Sequence, residues 1–200
     1  YYSYLNCMLR LYQKCMLRSA RDNGCIWSEN TCVKAVQNNN LNAPMFLHEE
    51  GCPWDERTRK AAAKYDSLKC FIYTHENGCP LGEYTFYAAA KYGNIPCLIY
   101  AYENNFPWDS DACVIAARRG KLDVLMLLHK WGCPWNAFVC HWSAGNNHMD
   151  CLEYAHNNGC YWDEEAYINF MKLHCNSRLT ISYIEYLRSY KCPWNEKVFK

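Results

Sequence analysis

Residues 108–134 read Trp-Asp-Ser-Asp-Ala-Cys-Val-Ile-Ala-Ala-Arg-Arg-Gly-Lys-Leu-Asp-Val-Leu-Met-Leu-Leu-His-Lys-Trp-Gly-Cys-Pro, and Trp135 opens the phrase again. Outward from this stretch the phrase recurs along the chain. Trp27, Trp54, Trp108, Trp135, Trp162 and Trp194 head its copies, with Leu81 standing once for Trp. The spacing is 27 residues from Trp27 to Trp162 and 32 from there to Trp194. A signature leads into each copy, as in Gly51-Cys52-Pro53-Trp54 and Gly132-Cys133-Pro134-Trp135. Its variants include Gly24-Cys25-Ile26-Trp27, Gly78-Cys79-Pro80-Leu81, Asn105-Phe106-Pro107-Trp108, Gly159-Cys160-Tyr161-Trp162 and Lys191-Cys192-Pro193-Trp194. A fixed period of this length marks a repeat architecture.

Each copy reads as two helices. Ser28, Asp55, Gly82, Asp109, Asn136, Asp163 and Asn195 follow the Trp position, and such residues cap the free N–H groups of a first turn. Glu29, Glu56, Glu83, Glu164 and Glu196 come next and suit the positive end of the helix dipole. Small residues sit in the middle of the first helix: Ala62-Ala63, Ala89-Ala90, Ala116-Ala117 and Ser143-Ala144. Asn39, Asp66, Gly93, Gly120 and Asn147 then supply residue types that tolerate a left-handed backbone, which predicts a helix end. A second helix follows, with Leu122, Leu125, Met126 and Val124 on one stripe, and the signature Gly and Pro stop it. The expected fold is all-α, made of stacked helix–turn–helix repeats in one domain over 1–200. Its units are a degenerate 1–26, regular 27–53, 54–80, 81–107, 108–134 and 135–161, a longer 162–193, and the start of another at 194–200.

Ala116-Ala117-Arg118-Arg119-Gly120-Lys121-Leu122-Asp123-Val124-Leu125-Met126-Leu127-Leu128 resembles the core of the ankyrin repeat, and Ala89-Ala90-Lys91-Tyr92-Gly93-Asn94-Ile95 is similar. The ankyrin period is about 33 residues, so each unit here is shorter by about six. The missing segment corresponds to the long β-hairpin finger between units. Only Thr31, Thr58 and Thr85 echo the family's Thr-Pro-Leu-His element. The short unit ending in Gly-Cys-Pro-Trp is similar to ankyrin-type arrays encoded by giant DNA viruses and some protists. The resemblance implies a non-enzymatic adaptor that binds another protein on the concave face made by its first helices. It also implies a host-cytoplasmic location if the chain is viral.

Composition narrows the function classes. The chain has 200 residues, half of them hydrophobic, with 21 Lys and Arg against 20 Asp and Glu. A net charge of +1 argues against a general nucleic-acid binder. No apolar run approaches the roughly 18 residues of a membrane span. Tyr1-Tyr2-Ser3-Tyr4 does not read as a signal peptide. Fifteen cysteines cannot all pair within one chain, and no Cys-x-x-Cys occurs. An intracellular, reduced monomer is expected.

The period sorts the cysteines. Cys25, Cys52, Cys79, Cys133, Cys160 and Cys192 share the signature position; Cys70, Cys97 and Cys151 share a second-helix position; Cys32, Cys113 and Cys140 share a first-helix position. Members of one class lie about 8–10 Å apart in a helix stack, too far for a disulfide, which needs Cα atoms within about 7 Å. Buried Cys acts as a small apolar filler, and packing is the reading adopted. Metal or redox chemistry between classes is the alternative, with single-stranded RNA binding a further one. Cys7, Cys15 and Cys175 stand outside the classes and are the first candidates for a reactive thiol. His48, His75, His129 and His156 share a position near a helix C-terminus and read as polar caps. Cys140-His141 with His148 has no orienting partner and does not make a catalytic pair. No catalytic residue, metal ligand or cofactor is assigned.

Recognition is sought where the units differ. Three residues after the Trp position stand Asn30, Arg57, Tyr84, Asp111, Phe138 and Glu165; six after stand Val33, Lys60, Tyr87, Val114, His141 and Ile168. Trp142 breaks the pattern one residue later. Large rings of this kind anchor protein interfaces. Tyr84, Tyr87, Arg57, Lys60, Phe138, His141 and Trp142 are therefore the expected partner-binding residues. Space-filling by Phe138 and Trp142 beside Ser143-Ala144 is the competing reading.

Overall fold

A computed structural model describes residues 14–82 and 84–160. The expectations for 162–193, for 194–200, for Cys7 and Cys175, and for most of the first unit lie outside these residues. Helices α1 (14–22), α2 (Glu29–Gln37), α3 (Asn42–Glu49), α4 (Glu56–Lys64), α5 (Leu68–Glu76), α6 (Thr85–Tyr92), α7 (Ile95–Glu103), α8 (Asp111–Arg118), α9 (Leu122–Lys130), α10 (Ala137–Gly145) and α11 (Met149–Asn157) follow one another. No strand occurs among the described residues. The fold is a set of stacked helix pairs without fingers. Its described parts form two compact units, 14–89 with 94–106 and 90–93 with 107–160. In the first, α2 packs on α3 and α4, and α5 on α4 and α7. In the second, α8 packs on α9 and α10, and α11 on α9 and α10.

Local chemistry explains the helix boundaries. The Asp55 side chain accepts from the Arg57 N–H at 3.0 Å, and Asn136 does the same for Phe138 at 3.0 Å. Each first helix then ends in a tight turn at a left-handed residue, such as Gly120 at φ 63° or Asn147 at φ 60°. The Lys121 N–H reaches back to the Ala116 carbonyl (2.9 Å) and His148 to Ser143 (2.8 Å), satisfying carbonyls the helix end would leave open. The signature ends the second helix the same way. Cys133 N–H donates to Leu128 (3.0 Å), and at Asn105, φ 54°, asparagine takes the place of glycine. The paired alanines are buried to the last atom or nearly so, so first helices meet through methyl groups.

Two repeated contacts refine the expectations. The signature thiol clasps the start of its own repeat: Cys52 donates to the Ser28 carbonyl at 3.5 Å, Cys79 to Asp55 at 3.1 Å, Cys133 to Asp109 at 3.4 Å and Cys160 to Asn136 at 3.3 Å. Cysteine is thus a donor there as well as a filler. The histidines do more than cap a helix. His48 Nδ1 pairs with the Tyr73 hydroxyl at 3.0 Å, His75 with Tyr100 at 2.9 Å and His129 with Tyr154 at 2.9 Å. His48 also stacks on Trp54 with centroids 3.7 Å apart, and His129 on Trp135 at 4.0 Å. The repeated Trp therefore lies against the preceding helix end, and Trp54 borders the buried cluster of Cys32, Leu47 and Cys52.

Candidate functional site

The sequence-selected residues fall into two clusters, one in each compact unit. In the first, Lys60 projects from α4 with its ammonium 5.5 Å from the centre of the Tyr84 ring, just before α6. This distance is that of a cation–π contact. Tyr84 is 58% exposed and meets Tyr87 edge-on at 6.2 Å. A shallow notch beside them is lined by Glu56, Lys60, Gly82, Tyr84 and Thr85. Gly82 is what lets Glu56 in: a Cβ there would stand 2.9 Å from the Glu56 Cβ. The Thr85 hydroxyl is buried at the notch with no hydrogen-bond partner. One carboxylate, one ammonium, a phenol and a buried hydroxyl thus meet at one spot.

Arg57 is placed differently. Its Nε donates to Asp55 Oδ2 at 2.6 Å and its Nη1 to Asn30 Oδ1 at 3.1 Å, with Glu29 at 3.9 Å. The guanidinium braces α4 against α2. Sequence reasoning grouped it with Lys60 because both interrupt the period, but the two side chains serve different neighbours.

In the second cluster, α10 carries Phe138, His141 and Trp142. Phe138 is 59% exposed, which removes the space-filling reading for that residue. His141 meets Phe138 edge-on at 6.3 Å and Trp142 at 5.1 Å. Arg118 of α8 lies 4.4 Å over the Trp142 ring. Ser143 and Ala144 are fully buried, and Ser143 Oγ donates to the Val139 carbonyl at 2.8 Å.

Sequence reasoning missed Glu56, Gly82, Thr85 and the role of Arg118. Gly82 carried a signal, since it alone replaces the side-chain cap after the Trp position. Arg118 read as one member of a solvated basic stripe with Lys64 and Lys91; the ring beneath it was two units' sequence away. Among the described residues no group of three or more His, Cys, Asp and Glu side chains could hold a metal ion. Cys15 and Cys25 are exposed thiols. No described helix is long and apolar enough to cross a membrane.

No protein-family model matches the chain, and no curated protein matches it. The human ASB11 ankyrin repeat domain, a crystal structure, is similar in fold: TM-score 0.56, 15% identity, covering 65% of this chain and 69% of that one. The chain therefore has an ankyrin-like repeat fold, a fold typically used as a non-enzymatic scaffold for protein–protein interaction.

Proposed function

We propose that this chain is an intracellular adaptor that performs no chemistry and grips a protein partner through its first helices. The carrying observation is the pair of exposed rings, Tyr84 at 58% and Phe138 at 59%, each backed by a second ring. The same register holds Asn30, Arg57 and Asp111 in other units, so the rings are additions that the repeat does not require. Lys60 beside Tyr84 and Arg118 on Trp142 give each patch a cationic side, which suits an acidic or aromatic partner segment. The likeness to viral arrays extends the reading to a host protein as that partner.

Alanine substitution tests this. Tyr84→Ala and Phe138→Ala are expected to weaken binding of a captured partner by roughly thirtyfold each, about 2 kcal/mol, with the melting temperature unchanged. Equal affinity in both variants would remove the rings from the interface, and loss of folding would return them to packing. A steep fall of affinity with salt, on RNA in place of protein, would support the nucleic-acid reading instead.

A further inference from the structure

Three pairs of buried thiols stand 20 residues apart in sequence, each joining a first helix to the signature that closes the same repeat. They are Cys32 with Cys52, Cys113 with Cys133, and Cys140 with Cys160. Cys32 Sγ lies 3.3 Å from Cys52 Sγ. The Cys113 thiol is hydrogen-bonded to that of Cys133, and Cys140 to Cys160. First-helix members are fully buried, and the signature members are 3–4% exposed. A disulfide brings sulfurs to about 2.05 Å, so the Cys32–Cys52 sulfurs need to approach by only about 1.2 Å.

We propose that each of these pairs is a dithiol–disulfide site, oxidised by a small-molecule disulfide and locking its repeat from first helix to closing turn. The signature thiolate attacks one sulfur of the small disulfide. A mixed disulfide forms, and one small thiolate leaves, taking up the proton of the first-helix thiol. The first-helix sulfur then attacks the signature sulfur and expels the second small thiolate, which takes up the proton the signature thiol gave up. Two protein thiols are oxidised and one small disulfide is reduced to two thiols.

The signature cysteine is the attacking member on two grounds. It is the less buried of the two, and it accepts its partner's S–H. That bond holds the Cys133 and Cys160 thiols below the usual thiol range, while Cys113 is pushed up. At Cys52 burial prevails and the thiol is pushed up, so this pair reacts more slowly.

The other repeats act as internal controls. In 54–80, Arg59 stands where the paired repeats have their first-helix Cys, and its guanidinium donates to the Cys79 carbonyl. In 81–107 both members are replaced, by Phe86 and Phe106. Cys79 thus has no thiol at the matching position.

The 200-residue chain, reduced and then equilibrated with oxidised glutathione under native conditions, is the test material. Unreacted thiols are alkylated and bridges mapped by peptide mass spectrometry without reduction. Three bridges are expected, 32–52, 113–133 and 140–160, each with the loss of two titratable thiols, and none at Cys79. Arg59→Cys is expected to add a fourth bridge, to Cys79. Cys113→Ala and Cys133→Ala, checked for folding by circular dichroism, are each expected to lose one bridge and keep the other two. Thiols that stay free, glutathione adducts without bridges, or pairings that ignore the 20-residue register would each overturn the proposal.

Discussion

The repeats at 54–80 and 108–134 share one frame and differ at its centre, where Arg59 occupies in one the place of Cys113 in the other. Arg59 is 1% exposed. Its Nη2 donates to the Thr74 carbonyl at 3.0 Å and to that of Cys79, and its guanidinium lies 5.5 Å over the Phe106 ring. Nε and Nη1 have no hydrogen-bond partner. Burial lowers the Arg59 pKa, and the cation in turn pulls against burial at Cys79, whose thiol stands at about 11. Phe106 is itself an exception, the one ring among the described signature positions. The residue in the matching place for 108–134 is Cys160, which offers no ring. A buried cation is thus tolerated only as one of a matched set. The frame, held by its turns and alanine pairs, carries the fold in both repeats.

The sharpest way to break this comparison is to move the cation. Cys113→Arg places a guanidinium where no ring and no vacant carbonyl answers it, and is expected to cost about 3–5 kcal/mol in urea unfolding. A loss near zero would show that the position accepts charge without the set. A smaller effect separates the two histidines. Tyr154→Phe removes the hydroxyl on His129 Nδ1 and leaves the stack on Trp135, with an expected loss of about 1 kcal/mol by the same measurement.

The smallest effect is a dependence on pH. His75 is pulled below its ordinary value of 6.5, first by burial and then by Arg59, with Glu76 opposing. The unfolded chain binds the extra proton below 6.5 while the folded chain resists it, so stability present above 6.5 is lost as pH falls through the folded value. His75→Asn is expected to flatten that slope in thermal melts from pH 7 to 5, whereas His129→Asn leaves it in place. An unchanged slope in His75→Asn would exclude this histidine as its source.

Both turns of each repeat were legible because their chemistry is local. Left-handed residues, caps and helix breakers act within a few positions, and Asp66, Gly120 and Asn147 adopt the expected positive φ. Contacts at other separations were not legible in the same way. Comparing cysteines 27 residues apart set aside the thiols that meet at 20. The tyrosine partners of His48, His75 and His129 stand 25 residues on, and the chain itself carried that signal: Tyr102 replaces the histidine once, and Leu127 replaces its tyrosine. The candidate face was half legible. Exposure of Tyr84 and Phe138 followed from their departure from the period. Arg57 departs from the period just as plainly, yet its partners Asp55, Asn30 and Glu29 are unremarkable in sequence, so only structure shows it as a brace.

The most direct test of the adaptor reading is amide hydrogen exchange on the chain with and without its captured partner. Protection is expected at the start of α6 and along α10, beside Tyr84, Tyr87, Phe138 and Trp142, while α5, α7, α9 and α11 exchange as in the free chain. Protection confined to those second helices, or none on α6 and α10, would contradict it.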